Sequence, residues 1–204
     1  MLKIYGHPMS TCTRKVLMTL AEADAPYEMN VVDFAKGEHK QVPHMTRQPF
    51  GQLPAIDDEG FTLYESRAIC RYLDEKNKGK LVPTDPKVRA EMEQWISIET
   101  SNFTPHAMKF VYHYTFKREQ EAAVLEAATK ALDTALDVME ARLAKSPYLA
   151  GNELTLADVC FMPYIEYTMM SPVKDMMAKR PHVNAWWNKI SERPTWRKVA
   201  GRPS

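Results

Sequence analysis

A chain of 204 residues that is 45% hydrophobic and 26% charged can bury one large core or two small ones, and it leaves no compositional room for a long disordered tail. Its 27 basic and 26 acidic side chains give a formal charge of +1, so no broad positive field exists to draw in phosphate backbones, which argues against a nucleic-acid partner. No stretch approaches the ~18 consecutive apolar residues of a spanning helix, which excludes a membrane-embedded role.

Leu2-Lys3-Ile4-Tyr5 reads as a short strand that begins almost at the initiator Met, with no basic leader or cleavage site before it, and this points to the cytoplasm. Pro8 closes a turn, and residues 14–22 carry Val16, Leu17 and Leu20 at helical spacing. A second strand is expected over 27–32, followed by a polar loop over 33–47. Residues 53–57 and 61–64, separated by Asp58-Glu59-Gly60, read as a hairpin. Glu65-Ser66 opens a helix over 67–76 with Ala68, Ile69, Tyr72 and Leu73 on one face, so the order is close to βαββα.

The charged, proline-marked stretch from Lys78-Gly79-Lys80 to Pro83-Thr84-Asp85-Pro86 cannot continue a helix. It sets a linker at 80–87 between a first domain, 1–79, and a second, 88–204. The second half is helical in pattern: Leu125, Leu132, Leu136, Met139 and Leu143 form a stripe of the kind that seams a bundle. Thr155-Leu156-Ala157-Asp158 is a capping box, with Leu154 stapling to Val159. Pro181 and Pro194 punctuate two short terminal helices, with Trp186 and Trp187 between them and Trp196 beyond. Cys12, Cys70 and Cys160 are far apart and odd in number, which suits neither a disulfide framework nor a metal or redox pair, so a reducing compartment and no metal are expected.

Taken singly, the candidate functional residues have ordinary readings. Ser10 and Ser66 are helix caps, His39 and Lys40 solvated charges, and Cys12 a small packed side chain. Taken together, Pro8-Met9-Ser10, Gly37-Glu38-His39-Lys40, Pro49-Phe50-Gly51-Gln52-Leu53-Pro54 and Glu65-Ser66-Arg67-Ala68-Ile69 resemble the cytosolic glutathione transferases, with spacing that matches the phi class. The resemblance extends through Tyr148-Leu149-Ala150-Gly151, Leu154-Thr155-Leu156-Ala157-Asp158 and Arg180-Pro181-His182-Val183, nearly the whole chain.

The resemblance implies an α/β thioredoxin-like N-terminal domain that carries glutathione, an all-α C-terminal domain that carries most of the electrophile pocket, a cis bond between Leu53 and Pro54, and a homodimer. By the same resemblance, the Leu53 backbone pairs with the cysteinyl unit of glutathione as an added strand would. Ser66 binds the γ-glutamyl carboxylate at a helix start, Glu65 and Gln52 meet its α-amino end, and His39 and Lys40 clamp the glycyl carboxylate. Ser10 donates its hydroxyl to the glutathione sulfur. A free thiol has a pKa near ~8.5, and lowering it by two units takes about 2.7 kcal/mol, which a hydroxyl and a helix N-terminus together can supply.

One departure stands out. Ser10-Thr11-Cys12 is similar to the Ser-Ser-Cys opening of zeta-class transferases, which isomerise maleylacetoacetate. Thr11 therefore offers a second hydroxyl, and Cys12 a thiol able to form mixed disulfides with glutathione. Glu65-Ser66 and Gly37-Glu38-His39-Lys40 favour the phi pattern. Met9, Phe34, Met108, Tyr112 and Tyr164 are candidates for the apolar wall of the electrophile pocket, whereas Phe103, Phe110, Phe116 and Phe161 are expected to be core. The expected activity is attack by the glutathione thiolate on small hydrophobic electrophiles, with peroxide reduction as a side activity and detoxification as the role. The alternatives are zeta-like cis-trans isomerisation and a non-catalytic ligand-binding module.

Overall fold

In the computed structural model, which describes residues 1–203, four short strands make one mixed sheet. Strand β1 (Lys3–Gly6) buries Ile4 and Gly6 while Lys3 faces out, the period-2 alternation of a half-covered strand. Helix α1 (Thr11–Glu22) starts earlier than the apolar spacing alone predicts. Ser10 explains the difference: its backbone is extended, at φ −74° and ψ 126°, and its Oγ accepts the Thr13 amide at 3.3 Å. Every residue from Thr13 to Leu20 is buried. Strand β2 (Glu28–Val31) then runs parallel to β1.

The stretch read as a polar loop contains a 3₁₀ turn at Glu38–Lys40 and a one-turn helix α2 (Val42–Met45). Pro43 is tolerated there because it sits in the first turn, where an amide has no helical partner to lose. The hairpin follows as β3 (Ala55–Asp58) and β4 (Phe61–Tyr64), and α3 (Ser66–Lys76) closes the set. The sheet order is β2-β1-β3-β4, with β1–β3 and β3–β4 antiparallel. Helices α1 and α3 pack against each other, and Ile4, Val16, Met18, Ile56, Ile69 and Leu73 are fully buried. Truncating one of these to Ala typically costs about 2–5 kcal/mol.

The chain divides into two units. One is Met1–Leu81 together with the residues from Lys198 onward, and the other is Val82–Arg197. The second unit is helical. Helix α4 (Pro86–Ile98) is capped by Asp85, whose Oδ1 accepts the Lys87 and Val88 amides. It runs through a π-helical turn, Glu99–Phe103, into α5 (Thr104–Phe110) and a further π-helical turn, Val111–Thr115. Then come α6 (Ala122–Leu143), α7 (Leu156–Thr168), α8 (Val173–Ala178), α9 (Pro181–Ser191) and α10 (Pro194–Ala200).

The α6 stripe buries Leu132, Leu136, Met139 and Leu143, with Ala128 and Ala135 alongside, whereas Leu125 near the helix start is only half-buried. The capping box at α7 is present as expected: Thr155 Oγ1 accepts the Ala157 amide at 3.2 Å and Asp158 Oδ2 accepts the Thr155 amide at 2.9 Å. Asp158 also does what local spacing could not reveal, accepting the Leu149 amide at 3.0 Å and the Trp186 indole N–H at 2.9 Å. Burial pushes its pKa up and these donors oppose that shift. Prolines 181 and 194 open α9 and α10, and both Trp186 and Trp196 are buried. Among the described residues no helix is long and apolar enough to cross a membrane.

Candidate functional site

Strand register brings the sequence candidates of the first unit to one end of the sheet. Tyr5 pairs with Ala55, Ala55 pairs with Tyr64, and Gly6 pairs with Val31. The segment leaving β1 (His7 to Ser10), the segment entering β3 (Leu53-Pro54), the segment leaving β4 (Glu65-Ser66) and the loop leaving β2 therefore emerge on the same side. Helices α1 and α3 begin there too, and neither has an acidic residue in its first turn. Of these two positive helix ends, that of α1 has no acidic residue at its cap and suits an anion, whereas the cap residue of α3 is Glu65.

Ser10 is half-buried, and the approach to it is braced by the Arg14 side chain, whose Nε donates to the Pro8 carbonyl at 2.8 Å. Because Ser10 Oγ takes the Thr13 amide as an acceptor, its own hydroxyl proton remains available to a ligand. Thr11 and Cys12, the first two residues of α1, are half-buried. Cys70 is buried, and that burial pushes its thiol up to about 11, while Cys160 is also buried. Among the described residues no His, Cys, Asp and Glu cluster could hold a metal ion.

On the β2 side, Phe34 stands between two imidazoles, 5.7 Å from His7 and 5.0 Å from His39 by ring centroid. Nδ1 of His39 is buried without a hydrogen-bond partner. Burial first, and then the neighbouring Lys40 ammonium, hold His39 below its ordinary pKa, and Lys40 supplies the fixed charge. Lys40 donates its Nζ to the Phe50 carbonyl at 2.8 Å, lying across Gly51.

Gly51 has φ +59°, and a Cβ there would come within 2.7 Å of Lys40 Cδ and 2.8 Å of the His39 carbonyl oxygen. Only glycine fits both the dihedral and the space. The exposed Gln52 is held by its backbone: the amide donates to Gln48 Oε1 at 3.1 Å, and the carbonyl receives His44 Nε2 at 2.6 Å. The Leu53–Pro54 bond is cis, and the strand ladder begins only at Ala55, leaving the Leu53 backbone outside it. Gly51, His44 and Gln48 were not singled out as functional by sequence reasoning. Glycine's requirement depends on the Lys40 contact, and His44 and Gln48 lie in a stretch whose polarity disguises their burial.

Ser66 differs from its reading as a cap. Glu65 is the N-cap residue and makes no side-chain cap bond, whereas Ser66 is the first residue of α3 and only 4% exposed. Glu65 has φ 71° and ψ 104°, a conformation that costs a non-glycine residue about 1–3 kcal/mol and concentrates at binding sites. It turns the chain from β4 into α3 in one step and leaves the Glu65 side chain exposed.

The apolar candidates belong to both units. In the first, Met9 and Phe34 are each 45% exposed. In the second, Met108 on α5 and Tyr112 on the following π-helical turn are half-buried, and Tyr164 is buried in α7. Phe103, Phe110 and Phe161 are core, but Phe116 is 39% exposed.

Two family models match the chain: the glutathione S-transferase N-terminal domain over residues 1–75 and the C-terminal domain over residues 103–194. Glutathione S-transferase APIC of Nicotiana tabacum is 39% identical over 203 residues, covering 96% of this chain and 95% of its own. Glutathione transferase F7 from Populus trichocarpa superposes with a TM-score of 0.94 at 38% identity over 98% of each chain. Glutathione S-transferase I of maize, solved with an atrazine glutathione conjugate, gives a TM-score of 0.91 at 35% identity over 98% of this chain and 96% of that one. The chain belongs to the glutathione S-transferase family, and its likeness within that family is to the plant F-type, or phi-class, members.

Proposed function

We propose that this protein joins the thiolate of glutathione to small hydrophobic electrophiles. The observation that carries the reading is Ser10: its Oγ is fixed by the Thr13 amide at the start of α1, with a hydroxyl proton left to give. In this reading Ser10 donates to the glutathione sulfur, the positive end of α1 adds to the effect, and the thiolate attacks the electrophilic carbon with no covalent enzyme intermediate. Thr11 and Cys12 follow Ser10 within α1 and are assigned secondary roles.

The tripeptide fits the rest of the sheet end. The Leu53 backbone, outside the ladder, takes the cysteinyl unit, and the cis Pro54 shapes that turn. The N-terminus of α3 with the Ser66 hydroxyl takes the γ-glutamyl carboxylate, and exposed Glu65 and Gln52 take its ammonium. Lys40, with His39 Nδ1 unpartnered beside it, takes the glycyl carboxylate. We assign residues 1–79 to glutathione, residues 88–204 to the electrophile, with Met108 and Tyr112 as apolar contacts in that second domain, and 80–87 to the linker. Detoxification in the cytoplasm as a homodimer completes the proposal, and size-exclusion chromatography tests the last part. The decisive assay is glutathione conjugation to a chloronitrobenzene: Ser10→Ala should abolish turnover while Cys12→Ala retains it. A requirement for Cys12 instead would move the assignment to thiol exchange.

A further inference from the structure

The backbone of Gln52 is gripped on both sides by the segment around α2. His44 is 3% exposed and Gln48 is 1% exposed, deeper than the polar composition of this stretch suggests. The Gln52 carbonyl can only accept, so the His44 Nε2 at 2.6 Å carries the proton and donates it. Gln48 Oε1 accepts the Gln52 amide at 3.1 Å. The two clamps are tied to each other, because the Gln48 amide donates to the His44 carbonyl at 3.0 Å, and the Gly51 amide donates to the Gln48 carbonyl at 2.9 Å. With Lys40 holding the Phe50 carbonyl, the backbone from Phe50 to Gln52 is held by four hydrogen bonds, none of which touches Gln52's exposed side chain.

We infer that His44, with Gln48, is a positioning residue for glutathione: it fixes the backbone of Gln52 and so pre-sets the Gln52-Leu53-Pro54 turn before the tripeptide arrives. The inference rests on the reading of that turn as the glutathione seat. The effect follows from population arithmetic. A turn that occupies its binding geometry only part of the time binds with an affinity reduced by that fraction. The loss falls on binding and not on chemistry, because Ser10 stands on a different segment, anchored by Thr13, Pro8 and Arg14. A residue that merely stabilised the fold would lower thermal stability without separating the two substrates.

The test is steady-state kinetics with glutathione and a chloronitrobenzene, together with calorimetric titration of glutathione, on wild type, His44→Phe, His44→Gln and Gln48→Met. His44→Phe keeps a ring of similar size and loses the donor, whereas His44→Gln places an amide N–H near the original Nε2. His44→Phe should raise the glutathione KM and Kd about tenfold, the loss expected for one buried hydrogen bond, with kcat and the electrophile KM within about twofold of wild type. His44→Gln should recover most of that loss. Unchanged glutathione affinity in His44→Phe, a fall in kcat at unchanged glutathione KM, or equal impairment of His44→Gln each overturns the inference. Should His44→Phe fail to fold, Gln48→Met decides: a raised glutathione KM with an unchanged electrophile KM supports it, and wild-type values overturn it. Wild-type protein that binds no glutathione would overturn the glutathione reading itself, whereas a binding wild type with equally binding variants overturns this inference alone.

Discussion

Lys40 and Phe50 are joined across ten positions of sequence by a single bond, the ammonium of one donating to the carbonyl of the other at 2.8 Å. The bond uses one of three ammonium donors and holds the charge at the edge of the proposed glutathione seat. Lys40→Met should therefore raise the glutathione KM about tenfold or more, the scale of a charge-assisted contact, with kcat nearly unchanged. The penalty should shrink as salt rises, because wild type then loses its own advantage. Kinetics at low and high ionic strength check both parts.

Gly51→Ala should damage the same seat by geometry instead of charge. The added methyl would meet the His39 carbonyl oxygen at 2.8 Å and the Lys40 side chain at 2.7 Å, on a backbone at φ +59°. Lysine can swing away, but the backbone carbonyl cannot, so the loop must shift. The expected loss is about 1–3 kcal/mol of stability with weakened glutathione binding, read by thermal melting and calorimetry.

Asp58, at the end of β3, sets an acid limit on the first unit. Hydrogen bonds from Lys76 and Tyr72, both on α3, hold its carboxyl below the ordinary range although burial opposes this. A depressed folded-state pKa means that stability is fully present above the unfolded value, near ~3.9, and is lost as pH falls through the folded value. Asp58→Asn should flatten the acid limb of the stability–pH curve, measured by urea unfolding between neutral and acid pH, while the wild type loses stability on that limb.

Asp158→Asn tests the capping node of the second unit. The carboxylate accepts from Leu149, Thr155 and Trp186, using both oxygens, and an amide can supply only one acceptor oxygen. The result should be a loss of about 3 kcal/mol and a fall in Tm of roughly 10 °C. Trp186→Phe, which removes a single donor, should cost less than Asp158→Asn in the same melt.

Much of this was legible in the sequence because its determinants are local. Thr155 and Asp158 are three residues apart, and the capping box they form is present. Pro181 and Pro194 open helices because proline's missing amide is harmless in a first turn. Gly60 closes the β3–β4 hairpin where the turn residues put it. What stayed hidden depends on partners distant in sequence or on a single backbone angle. The chain gives no local sign that His44 is buried against the Gln52 carbonyl, that Glu65 takes φ 71°, or that Asp158 receives an indole from Trp186. Ser66 shows the difference most clearly: its position before an apolar run suggests a cap, yet the strained Glu65 takes the cap position and leaves the Ser66 hydroxyl out of that role.

The central claim is that Ser10 stabilises the thiolate, and the most direct measurement is the pH titration of the thiolate ultraviolet absorbance of bound glutathione in wild type and Ser10→Ala. The wild type should bind glutathione with its thiol about two units below the free value near ~8.5, and Ser10→Ala should still bind it but return most of that shift. Loss of the α1 cap should lower stability by only about 1 kcal/mol, so the variant remains folded for the titration. A Ser10→Ala protein that binds glutathione with the wild-type thiol pKa would contradict the account.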